Sequence, residues 1–397
     1  MKKLLIIISS QKPVPAVRNG AIEVRVENIL KYNETHPMYD ITVISTYDAE
    51  AVLKSEKYKN TKFWYVKTSE WEKKIYFYCK AIIRRLPLIQ VVPPKELYHL
   101  KCFFKLRRHK NRFDKILIEN VVPLVEKTKK ISNAPVYLHL GSDGLNNGTP
   151  RAREIVKSLE RILVVSDYIG SLVKGIPGID PEKVIKINQG IERSLFAGKQ
   201  VRSRDELRQS LGINPDDVVY EFHGRITPDK GVKELVLTFS ALQHENVKLM
   251  ILGSKSSWTV SDSYVYEIRT LAEELQEKVI LPGEIPHDQI GDYLKAADVA
   301  VLPPLWEEPA SNAILEAMMA GLPLITTDSG GSAEYCDAKA SYVVPRDKDL
   351  LRNIAAAMED LYQHPEKRAE MGKIAETFGM RFTAENHAKE VFDALGD

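Results

Sequence analysis

PPLWEEPASNAILEAMMAGLPLITTDSGGSAE, residues 303–334, decides how this chain reads. The apolar run Val299–Leu302 precedes it and reads as a buried parallel strand. Pro303 and Pro304 stop that strand. Pro309 or Ser311 can open a helix, and Gly321-Leu322-Pro323 closes it. Leu324–Thr327 is a second strand, and Gly330-Gly331 a tight loop. The result is a strand–loop–helix–strand unit with a carboxylate at either end of the loop–helix segment, Glu308 and Glu316.

That unit suits an anionic ligand carrying a sugar. The first helical turn leaves unpaired N–H groups from about Ser311 through Asn312 to Ala313, with the positive end of the helix dipole behind them. A phosphate fits there. Glu308 can accept hydrogen bonds from sugar hydroxyls, and Glu316 lies on a face that can reach a ribose. Each glutamate alone also has an ordinary reading, as a solvated loop acid or a helix-surface charge.

Glu308-x7-Glu316, then Ala-Met, Gly321-x-Pro323 and Gly330-Gly331 with Glu334 following, resembles the donor-site signature of family 4 glycosyltransferases. The resemblance implies an α/β chain of the GT-B fold: two Rossmann-like domains facing across a cleft, with a C-terminal helix crossing back to the first. It implies that Glu308 holds donor-sugar hydroxyls and Glu316 the nucleotide ribose. The backbone from Ser311 to Ala313 would bind the diphosphate.

The second half opens on Val218–Ile226, a strand running into Gly224-Arg225, with Lys230-Gly231 before the next helix. Two cations at a strand end suit a diphosphate, Arg binding two oxygens and Lys adding a point charge. The pattern is similar to the family's G-R-x(4)-K-G. After the strand Val279–Gly283 comes Glu284-Ile285-Pro286-His287. In the family this loop, here Gly283 and Ile285, lies against the base through its backbone.

In the first half, Leu4–Ile8 is a buried strand whose loop leads to a helix from about Ala21. No G-x-G-x-x-G follows, which argues against nicotinamide binding. The family's Gly-Gly pair, where the backbone approaches the donor diphosphate or the acceptor, is represented by Gly20 alone, for which a turn needing positive φ is the plain alternative. His139 ends the strand Pro135–Leu140, where the family has a histidine near the reacting sugar. Leu140 follows it instead of the usual Asp or Asn, and a structural histidine is the alternative. In Asn188-Gln189-Gly190-Ile191-Glu192, Gln189 is inserted relative to the family's interdomain N-G-V-(D/E). From Trp71 to Arg112, twelve cations face only Glu72 and Glu96, interleaved with aromatics such as Tyr76, Phe77, Tyr78, Phe103 and Phe104. Such a segment is expected to meet an anionic membrane surface, with a solvated basic face as the alternative.

The length of 397 residues argues for two domains, divided here as 1–196 (acceptor-binding), 197–380 (nucleotide-sugar donor-binding) and a returning helix 381–397. Net charge is +2, so no global nucleic-acid signature exists. Three cysteines without a C-x-x-C pair fit a reducing compartment. The apolar run after Lys2-Lys3 is too short for a signal peptide, so the expected location is cytoplasmic, peripheral at the inner face of the membrane. Asp347-Lys348-Asp349 is the sole D-x-D and precedes Leu350-Leu351, where a helix cap explains it. No metal and no cofactor are therefore expected. The resemblance implies a retaining, metal-independent glycosyltransferase that uses a nucleotide sugar, expected to be a UDP-sugar, and a glycan or lipid-linked acceptor. It is similar to spore-coat SA-type and polysaccharide-assembly enzymes. The alternatives are a sugar-nucleotide epimerase on the same fold and a non-catalytic binding protein.

Overall fold

The computed structural model describes residues 1–9, 11–18, 20–83, 97–109, 112–198, 201–253 and 262–396. Two compact units divide the chain: Met1–Asn188 with Ala384–Asp397, and Gln189–Thr383. Among the described residues no helix is long and apolar enough to cross a membrane.

In the first unit the strands are β1 (Lys2–Ile7), β2 (Tyr39–Thr46), β3 (Thr61–Val66), β4 (Lys115–Glu119), β5 (Val136–Leu140), β6 (Arg161–Val164) and β7 (Val184–Lys186). They form one sheet, order β3-β2-β1-β4-β5-β6-β7, every pair parallel. The second unit has β8 (Val218–His223), β9 (Val247–Leu252), β10 (Val279–Gly283), β11 (Val299–Leu302), β12 (Leu324–Thr327) and β13 (Ser341–Val344). Its order is β10-β9-β8-β11-β12-β13, again parallel throughout. Parallel strands covered by helices on both faces read as unbroken apolar runs, and β8 to β12 are such runs apart from a few polar positions in β8, β9 and β12. In each sheet the winding reverses between two neighbours, β1/β4 and β8/β11. Ligands of such sheets bind beyond the strand ends at that reversal.

The second unit begins at Gln189 rather than at the expected 197, and Ile191, Phe196 and Leu207 are buried in its core. The returning helix begins at Ala384, while Phe382 still accepts a hydrogen bond from Ile191 N in the second unit. Gly20 has φ −164°, extended backbone that any residue adopts, so a positive-φ turn does not explain it. The atoms nearest a Cβ there belong to the movable ends of the Glu23 and Lys12 side chains, so the backbone does not demand glycine at this position.

The Ala384–Leu395 helix joins the first core through Ala388, Val391, Phe392 and Leu395. Burying a side chain of the size of Phe392 contributes ~1.5–3 kcal/mol. The C-terminal carbonyls of a helix lack intrahelical partners, and here side chains supply them. Lys115 donates to Leu395 O at 2.8 Å and to Gly396 O; Tyr137 donates to Leu395 O, Tyr39 to Gly396 O, and Arg161 to Ala394 O. The Lys115 charge also complements the negative end of the helix dipole. Lys115→Met keeps the stem and removes these donations. Its denaturant midpoint should fall by the equivalent of about 1–3 kcal/mol at unchanged slope. An unchanged midpoint would assign the docking to apolar packing alone.

Candidate active site

The reversal between β8 and β11 is where the second unit gathers its charged side chains. β8 ends at His223 and runs into exposed Gly224 and Arg225. A short turn, Pro228–Lys230, follows, with Gly231 at φ +69°. No side chain fits on Gly231, since a Cβ would collide with Pro303 O just beyond β11. Leu305 N donates to Asp229 O at 2.8 Å across the same contact. Lys230 is thereby laid beside the loop after β11 and donates to Glu308 Oε2. Trp306 Nε1 donates to that oxygen at 3.0 Å, and the ammonium stands 5.8 Å from the Trp306 ring centroid. Glu308 is buried, its backbone held by Ser329 Oγ at 3.0 Å and by Gly331 N at 2.7 Å. It is therefore not a solvated loop acid. Arg225 remains half-exposed, 3.4 Å from Asp229.

The helix opens at Asn312, with Ser311 as its N-cap and no side-chain cap hydrogen bond. Its first-turn amides, near Asn312 and Ala313, are left for another acceptor. Glu316 is buried on this helix rather than an exposed surface charge. Its Oε1 lies 3.1 Å from His287 Nε2 and its Oε2 lies 3.2 Å from His223 Nε2. His223 Nδ1 in turn is 3.1 Å from Glu221. Burial would discharge His223, but Glu221 and Glu316 outweigh it and raise its pKa to about 10. Burial would likewise protonate Glu316; the two histidines hold it at about 2. The bond to Glu316 also raises the pKa of half-buried His287. Gly283, at φ +89° with open space around it, and partly buried Ile285 lie on the chain just before His287.

Sequence reasoning missed Glu221, His223, His287 and Trp306. A signal for the first two was present. Glu221 and His223 alternate at i, i+2 in an apolar strand, which puts two ionisable groups on one face. Asp349 sits at the N-cap position of the Leu350–Gln363 helix, its N–H bonded to Asp347 at 2.9 Å.

In the first unit His139 has no exposed surface through which to meet a sugar. Its Nδ1 lies 3.1 Å from Glu119, which also receives Arg25 at 2.8 Å. Burial, together with the Arg25 charge, lowers the His139 pKa. The ring stacks on His387 at 5.6 Å. His139 is thus interior in this structure, with its Nε2 left without a hydrogen-bond partner among the described residues.

Residues 203–378 match the family model described as "Glycosyl transferases group 1". YtcC of Bacillus subtilis (strain 168) is 27% identical over 388 residues, 94% of this chain and 86% of that one. Spore coat protein SA of the same organism is 25% identical over 402 residues, 97% of each chain. Residues 203–378 therefore form a group 1 glycosyltransferase domain, and the similarity to these relatives runs over nearly the whole chain. In fold, this glycosyltransferase resembles HepE of Anabaena, solved in complex with UDP, with TM-score 0.74 and 16% identity over 99% of both chains.

In this glycosyltransferase His223 is the only cation between Glu221 and buried Glu316 that both approach within 3.2 Å among the described residues. His223→Phe should cost about 3 kcal/mol, as when one partner of a buried pair is removed. The His223 contribution is complete below its ordinary value of 6.5 and is lost as pH rises through about 10. The Glu316 contribution is complete above 4.5 and is lost as pH falls through about 2. The stability gap between the two proteins, followed by urea unfolding, should therefore be widest between pH 4.5 and 6.5. A gap independent of pH would point to lost packing rather than lost charge.

Proposed function

We propose that this glycosyltransferase moves a sugar, with retention, from a nucleoside diphosphate donor, expected to be a UDP-sugar, to a glycan or lipid-linked acceptor in cell-surface glycan synthesis. It would act in the cytoplasm at the inner face of the membrane, without metal. The observation that carries the reading is the Lys230–Glu308 contact beside an uncapped helix N-terminus at the sheet reversal. The UDP complex of HepE supports the choice of nucleotide.

In this reading the bond from the anomeric carbon to the diphosphate breaks, and the nucleoside diphosphate leaves. The acceptor hydroxyl oxygen bonds to the same face, and its proton passes to the departing phosphate. Arg225, Lys230 and the amides of Asn312 and Ala313 stabilise the leaving charge. An ammonium has three donors, so Lys230 can keep Glu308 and still meet a phosphate. Glu308 orients sugar hydroxyls and Glu316 the ribose, while the backbone of Gly224 and of Gly283 to Ile285 accommodates the nucleotide. Gly20 and His139 belong to the acceptor-binding unit, His139 as an interior support.

Arg225→Ala and Lys230→Ala should each lower kcat/KM for transfer by about two to three orders of magnitude, since one charge-assisted contact at a developing charge contributes ~2.7–4 kcal/mol. Glu308→Gln should lower kcat comparably while UDP affinity by calorimetry stays level or tightens, because Lys230 loses its competing carboxylate. Glu316→Gln should weaken UDP itself. Equal losses of UDP affinity in the two glutamine variants would show that the sugar and ribose roles are divided wrongly. Intact nucleotide binding with neither donor hydrolysis nor transfer would favour a binding protein.

Transfer should continue in EDTA, since the site carries its own cations. Loss of activity in EDTA and recovery with Mg²⁺ or Mn²⁺ would overturn the metal-free reading of the leaving group.

A further inference from the structure

The Glu70–Ile83 helix carries its apolar stripe on the outside. Trp71, Ile75 and Tyr78 recur at i, i+4 and i+7, which places them in one row. They are 66%, 53% and 68% exposed, and neighbouring Phe77 is exposed as well. The helix is tied to the fold by a different face: Glu72 receives Lys101 of the Leu97–Arg108 helix at 2.7 Å, and Tyr76 is partly buried. The Leu97–Arg108 helix repeats the arrangement. Tyr98, His99, Cys102 and Leu106 are buried, while Phe104, Arg107 and Arg108 are exposed on the other side. An exposed apolar row of this kind marks a contact surface, and the Glu72–Lys101 ion pair sets the two helices side by side.

Charge decides what the surface contacts. Among the described residues of these helices the exposed cations are Lys73, Lys74, Arg107 and Arg108; the one exposed carboxylate, Glu70, is bonded to Lys73 at 2.7 Å. Arg84, Arg85, Lys95 and Lys110 of the basic stretch lie outside the described residues, as does the Lys80 side chain. A second copy docking through the same face would set like charges against each other. Trp and Tyr rings favour the boundary between headgroups and hydrocarbon, and cations beside them favour anionic headgroups.

We propose that the Glu70–Ile83 helix seats its Trp71–Ile75–Tyr78 row in the interface of an anionic lipid bilayer, with Lys74, Arg107 and Arg108 meeting the headgroups. The surface carries this inference by itself, so it stands or falls separately from the nucleotide-sugar reading. The full chain is co-sedimented with phosphatidylglycerol-containing or pure phosphatidylcholine vesicles, at low and high salt. Binding should require the anionic lipid and weaken with salt. Lys74→Gln/Arg107→Gln/Arg108→Gln should bind about a hundred-fold more weakly, at about five-fold per charge. Trp71→Ser/Ile75→Ser/Tyr78→Ser should lose at least ten-fold at either salt concentration while its melting temperature holds, since these side chains are exposed. Equal binding to both vesicles, no binding to either, or full binding by the serine variant would overturn the proposal. So would a lipid-free dimer that the serine substitutions dissolve, which would make this a self-association face.

Discussion

Gly231 is the position on which the second unit's chemistry depends. A Cβ there would collide with Pro303 O, so the turn after β8 and the loop after β11 touch through bare backbone. That contact puts Lys230 within reach of Glu308 without a long, entropically costly search by its side chain. Gly330 plays the matching part on the other flank. At φ +47°, a Cβ would lie 2.5 Å from Glu308 O, so the loop after β12 can close over the Glu308 backbone only as glycine. The carboxylate is thus clamped from both neighbouring strands, and its orientation is settled before any ligand arrives. Preorganisation of this kind is what a site for developing charge requires.

The same sheet reversal explains why Arg225 differs from Lys230. Both follow β8, yet Arg225 lies half-exposed and only loosely joined to Asp229, whereas Lys230 is shielded and bonded to a buried partner. A solvent-screened cation is worth little to the folded state. Arg225 therefore has its charge available to a ligand, while Lys230 divides its donors between Glu308 and anything that approaches.

Much of this was legible in one dimension. Val299–Leu302 and Leu324–Thr327 are strands at the bounds read from the sequence. Parallel strands buried on both faces leave an unbroken signal. Ser341–Val344 gave none: it is an edge strand, largely half-exposed, with too little buried surface to mark itself. Glu308, Glu316, Arg225 and Lys230 stand out by their spacing, and of these the structure brings Lys230 and Glu308 into contact. What no spacing reveals is pairing between distant segments. His287 meets Glu316 from 29 residues away, and Lys115 meets the last helix from 280. His139 was legible as a strand-end histidine. Its burial was not, because the groups that cover it include His387, at the far end of the chain.

The two units also resolve one motif in opposite ways. Each has a glutamate on a strand beside the sheet reversal with a histidine Nδ1 3.1 Å away: Glu119 with His139, and Glu221 with His223. In the first unit Arg25 already neutralises Glu119, so a second buried positive charge would have no partner, and His139 is held neutral. In the second unit no arginine is paired with Glu221 among the described ion pairs, and Glu316 brings a second carboxylate. An imidazolium there is bonded by charge on both ring nitrogens, and burial strengthens the attraction. One motif therefore yields a neutral ring that supports a core and a cationic ring that fixes the carboxylate assigned to the ribose. The number of fixed charges around each ring, rather than the ring itself, decides which.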